Sequence, residues 1–144
     1  MPIRLFVYGT LKHGFPNHHL NAGRRVPGTF VTRQAFPMYV VKLPAEDRAP
    51  WLVDLPGQGH RVHGEVYEVD EAALPAIDRL EEVGQPTGYL REAITLEAAH
   101  DASQQLQAYA YLKPAHELAR CLACEGPFAE YTLQLAQGYY LHQD

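Results

Sequence analysis

Residues 61–82 read RVHGEVYEVDEAALPAIDRLEE, and the change of rhythm inside this stretch decides the fold. Up to Val69 the chain alternates. Val62, Gly64, Val66 and Glu68 fall on one face and His63, Glu65, Tyr67 and Val69 on the other, the two-residue period of a strand. From Asp70 the period lengthens, and Leu74, Ile77 and Leu80 recur at helical spacing. Asp70 suits an N-cap and Glu71 complements the positive end of the helix dipole. Pro75 is tolerated only in the first turn, so the regular helix starts later than Asp70 suggests.

Outward from this strand-to-helix step the chain is rich in short strands. Residues 3–8 read as an apolar strand, 12–28 as a loop of Gly, Pro, Asn and His, and TFVTRQ, MYVVKL and WLVDL as three further strands. LPGQGH at 55–60 has the residues of a reversal. YLREAITLEA and LQAYAYLK alternate as a strand pair around a loop at His100–Gln104, and the tail after Pro114 reads as one short helix followed by coil. Many short strands with one convincing helix predict an α+β protein. The expected fold is a small mixed barrel-like sheet with one main packed helix, in a single domain spanning 1–144.

Composition narrows the function. Apolar residues make up 47% and charged residues 20%, the balance of a chain that buries a core and faces water. The formal charge is −5 and no basic cluster exceeds Arg24-Arg25, which argues against a nucleic-acid partner. No apolar run approaches the roughly 18 residues of a membrane helix, and MPIRLFVYG lacks a signal-peptide pattern. With two cysteines, the expected setting is reducing and cytoplasmic, with no membrane.

Two features carry chemistry. The first strand ends abruptly in Tyr8-Gly9-Thr10-Leu11, and a strand that stops at a glycine offers backbone N–H groups to an anion. The second is Glu81. At about 100° per residue it lies between Leu74 and Ile77 on the apolar stripe, whereas Glu82 and Asp78 fall on the flank. A carboxylate among apolar groups is costly unless it is paired or its pKa rises, and a raised pKa suits a general base near neutral pH. A frayed helix end that lets Glu81 swing into water is the competing reading. Glu65 and Glu68 are rival carboxylates, either of which could be buried and paired with Arg91.

Other signals carry less. Cys121 and Cys124 have the spacing of a redox or zinc pair, but there is no second pair and no strand–helix–strand context, so packing or surface exposure is expected. His18 and His19 read as solvated loop residues, His60 and His63 flank a turn without a convergent carboxylate, and His116 and His142 have no finger spacing. No metal site is expected. Tyr109 and Tyr111 on one strand face read first as packing.

Taken in order, VYGTLKHGFPNHHL, PWLVDLPGQGHRVHGEVYEVDEAALPAIDRLEE and GYLRE resemble the γ-glutamylcyclotransferase-like (AIG2-like) family, and most its amine branch. The likeness runs from the first strand to about Tyr111 and weakly through CEGPFAEY. It implies that Tyr8, Gly9, Thr10 and Leu11 bind the glutamyl part of the substrate, that Glu81 is the general acid/base, and that Tyr111 lines the pocket. Tyr89 and Arg91 would brace the helix end. The implied reaction closes a γ-glutamyl amide into 5-oxoproline and releases the free amine, with no cofactor and a small molecule as partner. The VGQPTGY segment is longer than the amine branch's spacing. The alternatives are a γ-glutamyl amino acid or another γ-glutamylated metabolite as substrate, or a non-catalytic module that binds small carboxylates. Lys12, Arg24 and Arg25 would be the cations for a second carboxylate. Oligomeric state is not legible.

Overall fold

The computed structural model describes residues 2–16 and 23–141. Five strands close a barrel: β1 (Pro2–Val7), β2 (Arg24–Thr32), β5 (His63–Asp70), β6 (Leu90–Ala98) and β7 (Asp101–Leu112), in the order β1-β5-β2-β6-β7. Four more strands form a second sheet, β8-β3-β4-β9, from β3 (Met38–Leu43), β4 (Glu46–Leu52), β8 (Ala123–Phe128) and β9 (Tyr140–Leu141). The α+β expectation holds, with the barrel accompanied by this further sheet. Among the described residues no helix is long and apolar enough to cross a membrane.

Closure depends on one parallel pairing. β1 lies antiparallel to β5, with Pro2 opposite Asp70 and Val7 opposite Glu65, but parallel to β7, with Leu5 opposite Tyr109. The C-terminal ends of β1 and β7 therefore reach the same rim. β5 ends at the opposite rim, and the chain returns along the barrel wall through a 3₁₀ turn at Glu71–Ala73 and helix α1 (Leu74–Leu80). Ten helical residues rise about 16 Å, close to the roughly 17 Å from Pro2 to Val7 along β1. The helix thus delivers Glu81 to the rim where β1 and β7 finish. Ile77 anchors it by packing with Leu5, Val69 and Tyr111.

Several expectations are corrected. Asp70 makes no side-chain cap, and the α-helix starts at Leu74 with Pro75 in its first turn, as the proline required. Strand β2 starts at Arg24, inside the stretch read as loop, and β4 starts at Glu46, before Trp51. The loop read at His100–Gln104 is a tight turn at Ala99–His100 followed by a bulge: Asp101 pairs with Ala98 and Gln105 with Glu97, and among the described residues 102–104 have no partner on β6. The tail is not helix and coil alone. A 3₁₀ turn at Ala115–Arg120 leads to β8, which pairs with β3, and helix α2 (Leu133–Ala136) leads to β9. His18 and His19 lie outside the described residues.

Candidate active site

Tyr8, Gly9, Thr10, Leu11, Glu81 and Tyr111 all line one cleft of about 520 Å³. Its first wall is the barrel rim. The turn after β1 is closed by the Lys12 N–H donating to the Gly9 carbonyl at 3.1 Å and the Phe15 N–H to the Lys12 carbonyl at 3.0 Å. The Tyr8 hydroxyl crosses to β7 and donates to the Tyr111 carbonyl at 2.7 Å. Gly9 is required by close packing: a Cβ there would stand 2.6 Å from Cγ of Pro50 on β4.

The rival carboxylates have structural partners. Glu65 accepts from the His13 N–H at 2.8 Å and from the Tyr67 hydroxyl at 2.8 Å, and pairs with Arg25 at 3.3 Å. Glu68 pairs with Arg24 at 3.1 Å. Neither meets Arg91, which forms its ion pair with Asp78. Asp78 also accepts from the Tyr111 hydroxyl at 2.8 Å. This residue, read from the sequence as facing away, ties α1 to both β6 and β7.

Glu81 is the residue on which the helix ends. Its N–H completes the last helical bond to Ile77 at 3.0 Å. Glu82 then turns left-handed at φ 56°, with its N–H on the Arg79 carbonyl at 3.1 Å, and the Val83 N–H reaches the Asp78 carbonyl at 2.9 Å. These two bonds form the Schellman pattern, here without the customary glycine. The Tyr89 N–H caps the Glu81 carbonyl at 3.0 Å. The end is therefore bonded rather than frayed. Glu81 belongs to the cap, one step past the helical stripe used to single it out.

Among the described residues nothing hydrogen-bonds or ion-pairs with the Glu81 carboxylate. Burial first, then the negative charges of Glu46 and Glu82, push its pKa up to about 7, against the opposing pull of Lys113. A carboxyl poised there can take a proton and return it near neutral pH. Tyr8 and Tyr111 are pushed far above the usual phenol range, chiefly by burial, and so act as neutral donors.

The second sheet and the tail build the other wall, which the sequence reading missed. Glu46, Pro50, Trp51, Lys113, Arg120 and Tyr139 line the cleft with the predicted set. Glu46 accepts from the Tyr139 hydroxyl at 2.9 Å, and burial raises its pKa. The available signal was the alternation Tyr109, Tyr111, Lys113, which puts the lysine on the face of Tyr111. The cations named for a second carboxylate are engaged elsewhere: Lys12 is buried and donates to the Tyr131 carbonyl at 2.6 Å, and Arg24 and Arg25 hold Glu68 and Glu65. Cys121 and Cys124 are free thiols, and among the described residues no group of three or more His, Cys, Asp or Glu side chains could hold a metal ion.

A family described as Gamma-glutamyl cyclotransferase, AIG2-like, matches residues 5–129. The chain belongs to this family. It is 37% identical over 117 residues to Gamma-glutamylaminecyclotransferase of Mus musculus, covering 74% of this chain and 75% of that protein. A putative gamma-glutamylcyclotransferase of Drosophila melanogaster is 39% identical over 117 residues, covering 78% and 70%. The crystal structure of an AIG2-like protein from Mus musculus superposes with a TM-score of 0.73 at 30% identity, covering 99% of this chain and 95% of that one.

Proposed function

We propose that this cyclotransferase acts on γ-glutamyl amines, closing the glutamyl group to 5-oxoproline and releasing the free amine, with Glu81 as general acid/base. The observation that carries the reading is the Glu81 carboxylate, without a hydrogen-bond or ion-pair partner among the described residues and poised near 7, in the cleft that the Tyr8–Leu11 turn also lines. Glu81 takes a proton from the α-ammonium. The freed lone pair attacks the γ-carbonyl carbon and forms the lactam C–N bond. As the original amide C–N bond breaks, Glu81 returns the proton to the departing nitrogen. Its freed carboxylate then takes the surplus proton from the new ring nitrogen and passes it to the released amine, which leaves as an ammonium.

Nucleophile and electrophile share one molecule, so the cleft's task is to hold it bent for attack. The turn at Gly9–Leu11 receives the glutamyl α-carboxylate, while Tyr8 and Tyr111 wall the glutamyl chain. The relatives named for γ-glutamylamine chemistry support an amine as the leaving group. The setting we propose is cytoplasmic.

A γ-glutamyl amino acid is the second reading, favoured by one observation: Arg120 lines the cleft while holding Glu117, and a second carboxylate there would share its guanidinium. Mass spectrometry of 5-oxoproline released from a substrate panel separates the two. Turnover of γ-glutamyl-ε-lysine is expected to exceed that of γ-glutamyl-alanine at equal concentration. A preference for γ-glutamyl-alanine that disappears in Arg120→Gln hands the substrate to the second reading, and no 5-oxoproline from any member leaves a carboxylate-binding module.

A further inference from the structure

Lys113 is 5% exposed, unusual for a lysine, and is held from both ends. Its N–H donates to the Leu52 carbonyl at 2.8 Å, and its carbonyl accepts from the Asp54 N–H at 2.9 Å. Its backbone is thus stitched into the end of β4 at the point where β7 leaves the barrel. The side chain runs into the cleft, where its ammonium donates to the Thr87 carbonyl at 2.7 Å. The same ammonium sits 4.2 Å from the ring centre of Tyr89 and 4.9 Å from that of Trp51. Thr87 and Tyr89 belong to the segment that follows Glu81, and Tyr89 caps the Glu81 carbonyl.

A buried ammonium with one carbonyl acceptor and two aromatic faces is costly to keep where structure alone is served, because an apolar side chain would fill the space. Its location supplies a reason. We propose that Lys113 is a positioning residue of the reaction: its caged ammonium fixes the segment after Glu81 and supplies the positive charge in the cleft that keeps the Glu81 carboxylate available as a base. This rests on Glu81 being the base.

The charged and titratable groups around Glu81 come from every side: Lys113 at the end of β7, Glu46 on β4, Glu82 in the helix cap, and the phenols of Tyr8, Tyr89 and Tyr111. Of these, Lys113 is the cation that lowers the Glu81 pKa; Lys113 in turn faces Glu117 and Arg120 from the 3₁₀ turn after β7, and burial lowers its own pKa. Burial and the two glutamates push the carboxyl toward its neutral form, and Lys113 works against them. Without its charge, Glu81 would hold its proton to higher pH, and the loss of rate would be confined to the acid side.

The test is the pH dependence of kcat/KM with γ-glutamyl-ε-lysine for Lys113→Gln, Lys113→Met and Lys113→Arg. In the Gln and Met variants the acid limb is expected to move up by about one pH unit, which is roughly a tenfold loss on that limb and little change on the plateau. Lys113→Arg, which keeps the charge, should return the limb to its original place. A uniform loss with the limb unmoved overturns the proposal, because packing alone would do that. Failure of both neutral variants to fold also overturns it, making Lys113 a folding residue. Glu81→Gln, run alongside, is expected to lack the limb and most of the rate; retained turnover there would instead strike at the assignment of the base.

Discussion

Two glutamates thirty-six positions apart meet opposite fates in the same half of the molecule. Glu117, on the 3₁₀ turn after β7, is 3% exposed, yet Arg120 grips it through two nitrogens at 2.8 and 3.2 Å. Glu81, at the end of α1, faces a cleft, and among the described residues no donor reaches its carboxylate. Burial with a partner makes a carboxylate part of the framework. Burial without one leaves it able to exchange a proton.

The largest effect expected from this contrast is on rate. Glu81→Gln should fold and lose about 10²–10⁴-fold in turnover, while Glu82→Gln, in the adjoining cap, stays within a fewfold. Initial rates of 5-oxoproline release decide it, and near-normal turnover in Glu81→Gln would erase the distinction between the two glutamates.

Next comes a stability effect with an unusual sign. The Glu81 carboxyl titrates at about 7 in the fold against a reference of 4.5, so the folded chain holds the proton more tightly than the unfolded one. That contribution is fully present below pH 4.5 and is lost as pH rises through 7. Glu81→Gln has nothing to lose, so from pH 4 to pH 8 it should gain on the parent by roughly 2–3 kcal/mol in urea unfolding. An equal difference at both pH values would mean that the carboxylate is solvated.

Glu117→Ala probes the paired partner. It should cost about 2 kcal/mol of stability, less than a fully buried pair because Arg120 is 39% exposed, while the rate per folded molecule falls little. A large loss of rate at unchanged stability would move Glu117 into the working part of the cleft. Smallest is Gly9→Ala, expected to cost about 1–2 kcal/mol through the collision with Pro50. Thermal melts check it, and an unchanged melting temperature would show that the two walls can slide apart.

The residues legible in advance were those that local pattern controls. Alternation marked β5, Pro75 delayed the helix, and apolar spacing put Glu81 near the cleft although its true position is one step past the helix. The tail resisted because β8, read along ACEGPF, is exposed at five of six positions and holds its place only by pairing with β3. Such pairing has no local signature. Lys113 was missed for a related reason: its ammonium is caged by Thr87, Tyr89 and Trp51, residues from 24 to 62 positions earlier in the chain. Arg91 was expected to brace the helix end, and it does so through Asp78, whose flank position gave no hint of the pairing.

The tight turn at Ala99–His100 has a practical side. It stands at the start of β7, whereas Tyr111 stands near that strand's end, about 24 Å away by the seven residue steps from Ala98 to Arg91 on the facing strand β6. A fluorophore, surface anchor or affinity handle attached at this tip would report on or immobilise the protein from the rim opposite the cleft, leaving the substrate's approach open.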